Sequence, residues 1–168
     1  MKNYFLTLFL AGLSLLSFTY NPTAKGFKFT SEEGKFSIVF PSSFQSETIT
    51  QENNTKTVKI SAEAKNQNYM ATYTIHQMEM NNPGSLAQTS LDAFVEAAKG
   101  TVQNQSEWKI KNNPGIKSII LLDGQDAKIE YRVIIVGKIQ YQVIIVSPNK
   151  LWDQKAADVF YKSFSLMK

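Results

Sequence analysis

The sequence predicts an α+β fold, a mostly antiparallel central sheet packed with helices. Three observations predict it. Strand-like runs are joined by short turn clusters, which makes neighbouring strands antiparallel. Two stretches carry apolar residues at helical spacing and need a surface to rest on. The run Ile129–Val146, IEYRVIIVGKIQYQVIIV, reads as two central strands around Gly137–Lys138. Val, Ile and Tyr dominate both strands and suit a pleated, half-buried surface.

In that central hairpin Ile129, Tyr131, Val133 and Ile135 share one face of the first strand, and Ile139, Tyr141, Val143 and Ile145 one face of the second. Pairing Val133 with Tyr141 puts all of them on one side. That register needs a three-residue loop or a bulge at Gly137, because side chains alternate with period two. The opposite face carries Glu130, Arg132, Gln140 and Gln142, but also Ile134, Val136, Ile144 and Val146. A face so mixed is partly covered, and a helix is the expected cover.

The mature chain opens with a hairpin, Lys25–Phe29 and Lys35–Phe40, around the turn cluster Ser31–Gly34 and closed by Pro41. Ser46–Gln51 is a short polar strand. Lys56–Ala64 alternates Val58, Ile60 and Ala62 against Thr57, Lys59 and Ser61, a strand with one wet face. Tyr69–Met78 is the next strand, after a turn at Lys65–Asn68. Asn81–Gly84 then breaks the sheet pattern. Ser85 or Ser90 caps a helix to Lys99 with Gly100 as its stop, and Leu91, Phe94, Val95 and Ala98 form its apolar stripe. Trp108–Lys111 starts a strand interrupted by Asn112–Gly115, and Ile116–Leu122 is a buried strand. Ser147 with Pro148 opens the last helix, whose apolar face is Leu151, Trp152, Ala156, Val159 and Phe160.

Composition narrows the functional classes. Hydrophobic residues at 43% and charged residues at 19% are ordinary for a globular domain of 168 residues. The net charge of +4 is spread along the chain, and its single arginine, Arg132, is poor equipment for phosphate-backbone recognition. Nucleic acid is therefore not an expected partner. Lys2 followed by the apolar run Tyr4–Phe18 has the length of a signal peptide and is short for a membrane span. Residues 1–24 are read as the signal, with cleavage after Ala24 or Thr19, and 25–168 as one domain. The protein is thus expected to be exported, periplasmic or extracellular. The chain has no cysteine, which excludes a lipobox anchor, a disulfide-linked partner and thiolate metal sites.

GKFSIVFP at Gly34–Pro41, SLDAFV at Ser90–Val95, NPG at Asn113–Gly115, Tyr141 after Gly137, and FYKSF at Phe160–Phe164 follow one another in an order and spacing that resembles the PsbP-like family, named for the extrinsic protein of the photosynthetic oxygen-evolving complex. The resemblance spans nearly the whole mature chain. It departs at Asn113, where the family commonly has an aromatic residue before Pro-Gly. The resemblance implies an α/β/α sandwich, a place in the family's exported bacterial branch, and an accessory role without enzymatic activity. Photosynthetic members support cofactor retention in a membrane complex, and none of their ion-linked residues maps onto this chain.

The residues that carry chemistry are few. His76, the sole histidine, lies on the strand face of Thr72 and Thr74, without a second histidine or cysteine to complete a metal site. No Gly-x-Ser-x-Gly elbow, GxGxxG loop or Walker motif occurs. Glu32-Glu33 and Asp123/Asp126 are carboxylate pairs in solvated turns. The glycosylation-type triplets at Asn53 and Asn104 are chance matches in Asn-rich loops. Trp108, Trp152, Tyr73 and Tyr131, with Tyr69, are the candidate ligand-contacting aromatics, and a groove between the last helix and the sheet is where a ligand would sit. The leading expectation is a non-enzymatic exported module of the bacterial cell envelope, without cofactor, metal or catalytic residues. It binds an envelope protein or small ligand and associates with a membrane complex. The alternatives are a hydrolase-type enzyme using carboxylates and His76, or a structural or stress protein of the envelope with no discrete ligand.

Overall fold

The computed structural model describes residues 22–23, 26–50 and 55–167. The expected signal segment lies outside them except for Pro22–Thr23. Among the described residues eleven strands and two α-helices run in the order β1 (Pro22–Thr23), β2 (Gly26–Ser31), β3 (Phe36–Phe40), β4 (Gln45–Thr50), β5 (Lys56–Ala64), β6 (Gln67–Ile75), α1 (Pro83–Ala98), β7 (Gly100–Ile110), β8 (Asn113–Leu122), β9 (Ala127–Val136), β10 (Ile139–Pro148), α2 (Gln154–Ser163) and β11 (Ser165–Leu166). The main sheet has seven strands in the order β4-β5-β6-β10-β9-β8-β7, and a smaller four-stranded sheet has the order β1-β2-β3-β11. All pairings are antiparallel. No helix of the described residues is long and apolar enough to cross a membrane.

This is not the α/β/α sandwich that the sequence suggests. Strands hold 57% of the described residues and helices 21%, so the fold is mostly β. The hairpin β2–β3 does not extend the central sheet. It folds over one face of it as a second sheet and occupies the layer expected of a helix. The cause is the alternation Phe36, Ile38, Phe40. All three are fully buried, and a strand with so apolar a face must lay it on another apolar surface. That surface is Val58, Ile60, Tyr69, Ala71, Tyr73, Ile134, Tyr141, Val143 and Ile145 of the main sheet, with Phe160, Tyr161 and Phe164 closing the side. The opposite face of the main sheet is covered by α1, which lies on β7, β8 and β9. Ala87 and Leu91 of α1 meet Ile120, Ile129, Tyr131, Val133 and Ile144 there.

The central hairpin uses a plain two-residue turn, not the expected bulge. Val136 pairs with Ile139 and Tyr141 with Ile134 across Gly137–Lys138. Gly137 has φ 59°, the positive value a type II′ turn needs at its first central position. The turn therefore sets the register, and Val133 faces Gln142. Both faces of the pair are buried, so no single face had to collect all the apolar residues. The consequence is that Glu130 and Arg132 point into the layer shared with the small sheet and α2, while Gln140 and Gln142 point to the α1 side.

Local capping moved other boundaries. α1 starts earlier than expected, on Asn82, whose Oδ1 accepts from the Ser85 amide at 3.4 Å, with Pro83 in its first turn. Its stop is Lys99 in the left-handed region at φ 51°, and Gly100 already belongs to β7. β7 begins at Gly100, eight residues ahead of the expected start at Trp108. Thr101–Glu107 is exposed and polar because it edges the sheet, and it therefore lacks the alternation of a strand with one buried face. Asn112–Gly115 does not interrupt one strand: Lys111–Asn112, with Lys111 at φ 56°, is the turn of a β7–β8 hairpin, and Asn113–Gly115 open β8. Ser147 stays in β10. α2 is capped by Asp153, whose Oδ1 accepts from the Ala156 amide at 2.9 Å. Leu151 and Val159 are not on the apolar face of α2: they are 48% and 58% exposed, whereas Phe160 is buried as expected and Ala157 and Tyr161 join it.

Candidate functional site

The most unusual chemistry lies where α2 meets the main sheet. Strand alternation places Glu130, Arg132 and Ile134 of β9 on the face toward α2. Lys117 of β8 stands directly opposite Arg132, on the same face. Glu130 is 1% exposed, yet it is a carboxylate. Its Oε1 accepts from Arg132 Nε at 3.0 Å and Nη2 at 2.6 Å, and Lys117 Nζ lies 3.4 Å from the same oxygen. A buried carboxylate is tolerated only when paired and hydrogen-bonded in this way. The Arg132 guanidinium lies 3.7 Å from the centroid of the Tyr161 ring and 5.7 Å from that of Trp108, so aromatic faces support its charge. Tyr161 Oη donates to the Glu130 carbonyl at 2.6 Å, which ties α2 to β9. The chain's sole arginine is thus spent at this one position.

A second polar assembly lies on the opposite face of the same hairpin. Gln140 Nε2 and Gln142 Nε2 donate to Ser90 Oγ at 2.9 and 3.1 Å. Those two bonds fill the hydroxyl's acceptor sites, so Ser90 donates its own proton to Tyr131 Oη, 2.9 Å away. Thr72 Oγ1 donates to Gln142 Oε1 at 3.1 Å. His76 Nε2 sits 3.2 Å from Gln140 Oε1, an acceptor only, which places the imidazole proton on Nε2. His76 is therefore held by an amide and not by a carboxylate. No group of three or more metal-capable His, Asp or Glu side chains occurs among the described residues.

The predicted aromatics do not converge on one place. Trp108 is buried beside Arg132, with its ring 5.5 Å from that of Phe164, and belongs to the charged cluster. Trp152 is half-buried farther along the α2 margin. Its Nε1 donates to Gln154 Oε1, and Lys128 Nζ lies 4.3 Å over its ring. Tyr131 lies on the other face, stacked on Phe94 at 4.5 Å. Tyr73 is core: it meets Phe36 edge-on, and its hydroxyl donates to Glu33 Oε2 at 3.2 Å. Tyr69 packs edge-on against Phe160. Glu130, Lys117 and Tyr161 were not singled out from the sequence. The signal was present in β9, where opposite charges two residues apart share a face inside an aliphatic strand.

Burial gives the tyrosines a collective pH response. It pushes the Tyr141 hydroxyl up to about 12, and raises Tyr161 and Tyr131 well above the ordinary value. In the unfolded chain they ionise near pH 10. The folded form therefore prefers the neutral phenols, and the stability this gives is fully present below about pH 10 and lost as pH rises toward about 12. For a two-unit separation the Tyr141 share is on the order of 2–3 kcal/mol. Urea unfolding followed between pH 8 and 11.5 is expected to show falling stability above about pH 10, with phenolate absorbance from these tyrosines rising together with loss of structure. Ionisation of all tyrosines near pH 10 in a protein that stays folded would contradict this assignment.

No family model matches the chain, and no curated protein matches it. Among solved structures it is similar to an uncharacterised protein of Bacteroides thetaiotaomicron VPI-5482, determined at 1.50 Å resolution, with 13% identity and a TM-score of 0.44. The match covers 86% of this chain and 49% of that one, so this chain spans about half the length of the structure it resembles.

Proposed function

We propose that the protein is a non-enzymatic accessory module of the bacterial cell envelope, exported by its N-terminal segment, that binds an envelope partner or ligand at the margin between α2 and the main sheet. Its PsbP-like motifs support the accessory role. The observation that carries the binding reading is the cluster of Glu130, Arg132 and Lys117 at the rim of the aromatic layer. Two cations share one oxygen of a buried carboxylate there, and Lys117 stays 34% exposed. Hydrophobic residues would fill such a layer at least as stably, so a charged cluster in it fits a role in recognition. His76, bonded to Gln140, lacks the acid partner that the hydrolase reading needs.

The test is affinity capture from envelope extracts with the tagged full chain and its Lys117→Gln variant, against a tag-only control. A partner retained by the parent and lost by the variant supports the reading. A blank, or equal retention by both forms, overturns the assignment of this margin as the docking site.

A further inference from the structure

The cluster at the α2 margin has one cation too many. Arg132 and Lys117 together carry two positive charges against the single negative charge of Glu130. All three nitrogen contacts fall on one oxygen, Oε1. The Lys117 ammonium makes no contact there shorter than its 3.4 Å ion pair. Arg132, 14% exposed, is held by Glu130 through two hydrogen bonds, so the excess positive charge rests on Lys117, whose side chain is 34% exposed.

The register extends the cluster toward the open edge of the sheet. Ser106 of β7 is opposite Lys117, and Lys117 is opposite Arg132, so the three side chains form one row across three strands on one face. Ser106 is exposed, Lys117 partly so, and Arg132 closes the row against Trp108 and Tyr161. A hydroxyl donor, a mobile ammonium and a fixed guanidinium in line suit an oxygen-rich anion. Lys128, on the same face of β9 as Glu130, adds positive potential and places no carboxylate in competition.

Resting on the binding reading above, we infer that Ser106, Lys117 and Arg132 form a site for one oxyanion, the carboxylate or phosphate group of the ligand this module takes. Lys117 supplies the excess charge, Ser106 a hydrogen bond, and Glu130 holds Arg132 in place.

The lone arginine gives a direct probe, because the Nε–H signal of Arg132 is unique in a nitrogen–proton correlation spectrum. The ¹⁵N-labelled full chain is titrated separately with sodium phosphate, sodium acetate and sodium chloride at matched ionic strength. A saturable shift of the Arg132 Nε–H signal with phosphate or acetate, absent with chloride, supports the site, and the stronger of the two identifies the anion's class. Lys117→Gln is expected to weaken binding at least tenfold and Lys117→Arg to restore it, both with an otherwise unchanged spectrum. No saturable shift, an equal response to chloride, or undiminished binding by Lys117→Gln would overturn the inference. The two proposals fail separately. Envelope capture that depends on Lys117 without an anion response leaves a docking surface and removes the oxyanion. An anion response without capture leaves the site and removes the macromolecular partner.

Discussion

Glu130→Gln is expected to cost about 3–5 kcal/mol of folding stability, the range for breaking a buried ion pair from one side. The substitution keeps the shape of the side chain and removes its charge. Arg132 is then left under Tyr161 and Trp108 without a counter-charge, and Lys117 loses its anchor. The penalty comes from stranding the guanidinium and not from the pair's net worth. The double change Glu130→Leu with Arg132→Leu should therefore recover most of the loss, since apolar replacement of both partners is often neutral. Urea denaturation of the parent, single and double variants measures this directly. A loss under about 1 kcal/mol in the single variant would mean that water reaches the pair freely and that the cluster is not buried as described.

Phe36→Ala carries the other large expected effect, about 3–5 kcal/mol. Phe36 is fully buried, and its ring lies 5.5–5.6 Å from those of Phe29, Tyr73, Tyr141 and Phe164. It is the point where the small sheet, the main sheet and the end of α2 meet. The loss combines the removed apolar contact with the cavity left among rings too rigid to collapse into it. Phe36→Leu should retain more than half of the stability difference. A thermal or urea midpoint close to that of the parent for Phe36→Ala would show that the β2–β3 hairpin contributes little to holding the main sheet. The polar ties between the sheets, Tyr141 Oη to the Gly34 carbonyl at 2.7 Å and Tyr73 and Lys56 to Glu33, would then carry more of the attachment.

Several elements were legible because their signals are local. Lys56–Ala64 is β5 residue for residue, and the alternation of Phe36, Ile38 and Phe40 marks β3. The stripe Leu91, Phe94, Val95 and Ala98 marks the inward face of α1. The turns at Gly137–Lys138 and Asp123–Gly124 lie where glycine relieves positive φ. The exposed edge β7 was not legible over Thr101–Glu107, because an edge strand with neither face buried there shows no period. The last helix was misread at Leu151 and Val159 because a 3₁₀ turn at Asn149–Leu151 shifts its phase. Of the residues gathered at the α2 margin, Trp108 was named from the sequence. The charged cluster beside it was not.

The sequence by itself determined most of the strands and the glycine turns between them, since each is set by residues within a few positions of one another. It also determined that the chain's only arginine would sit two residues from a glutamate, on one face of a strand. Only the tertiary structure decided which layer each element joined and therefore what those charges met. The two-residue turn at Gly137 fixed a register that no count of apolar residues favoured. The β2–β3 hairpin then took the place of a helix layer, because its fully apolar face found the apolar face of the main sheet. Those long-range pairings turned Glu130 and Arg132 from a strand's polar side into a buried ion pair. They also left Lys117 sharing the Glu130 carboxylate with Arg132.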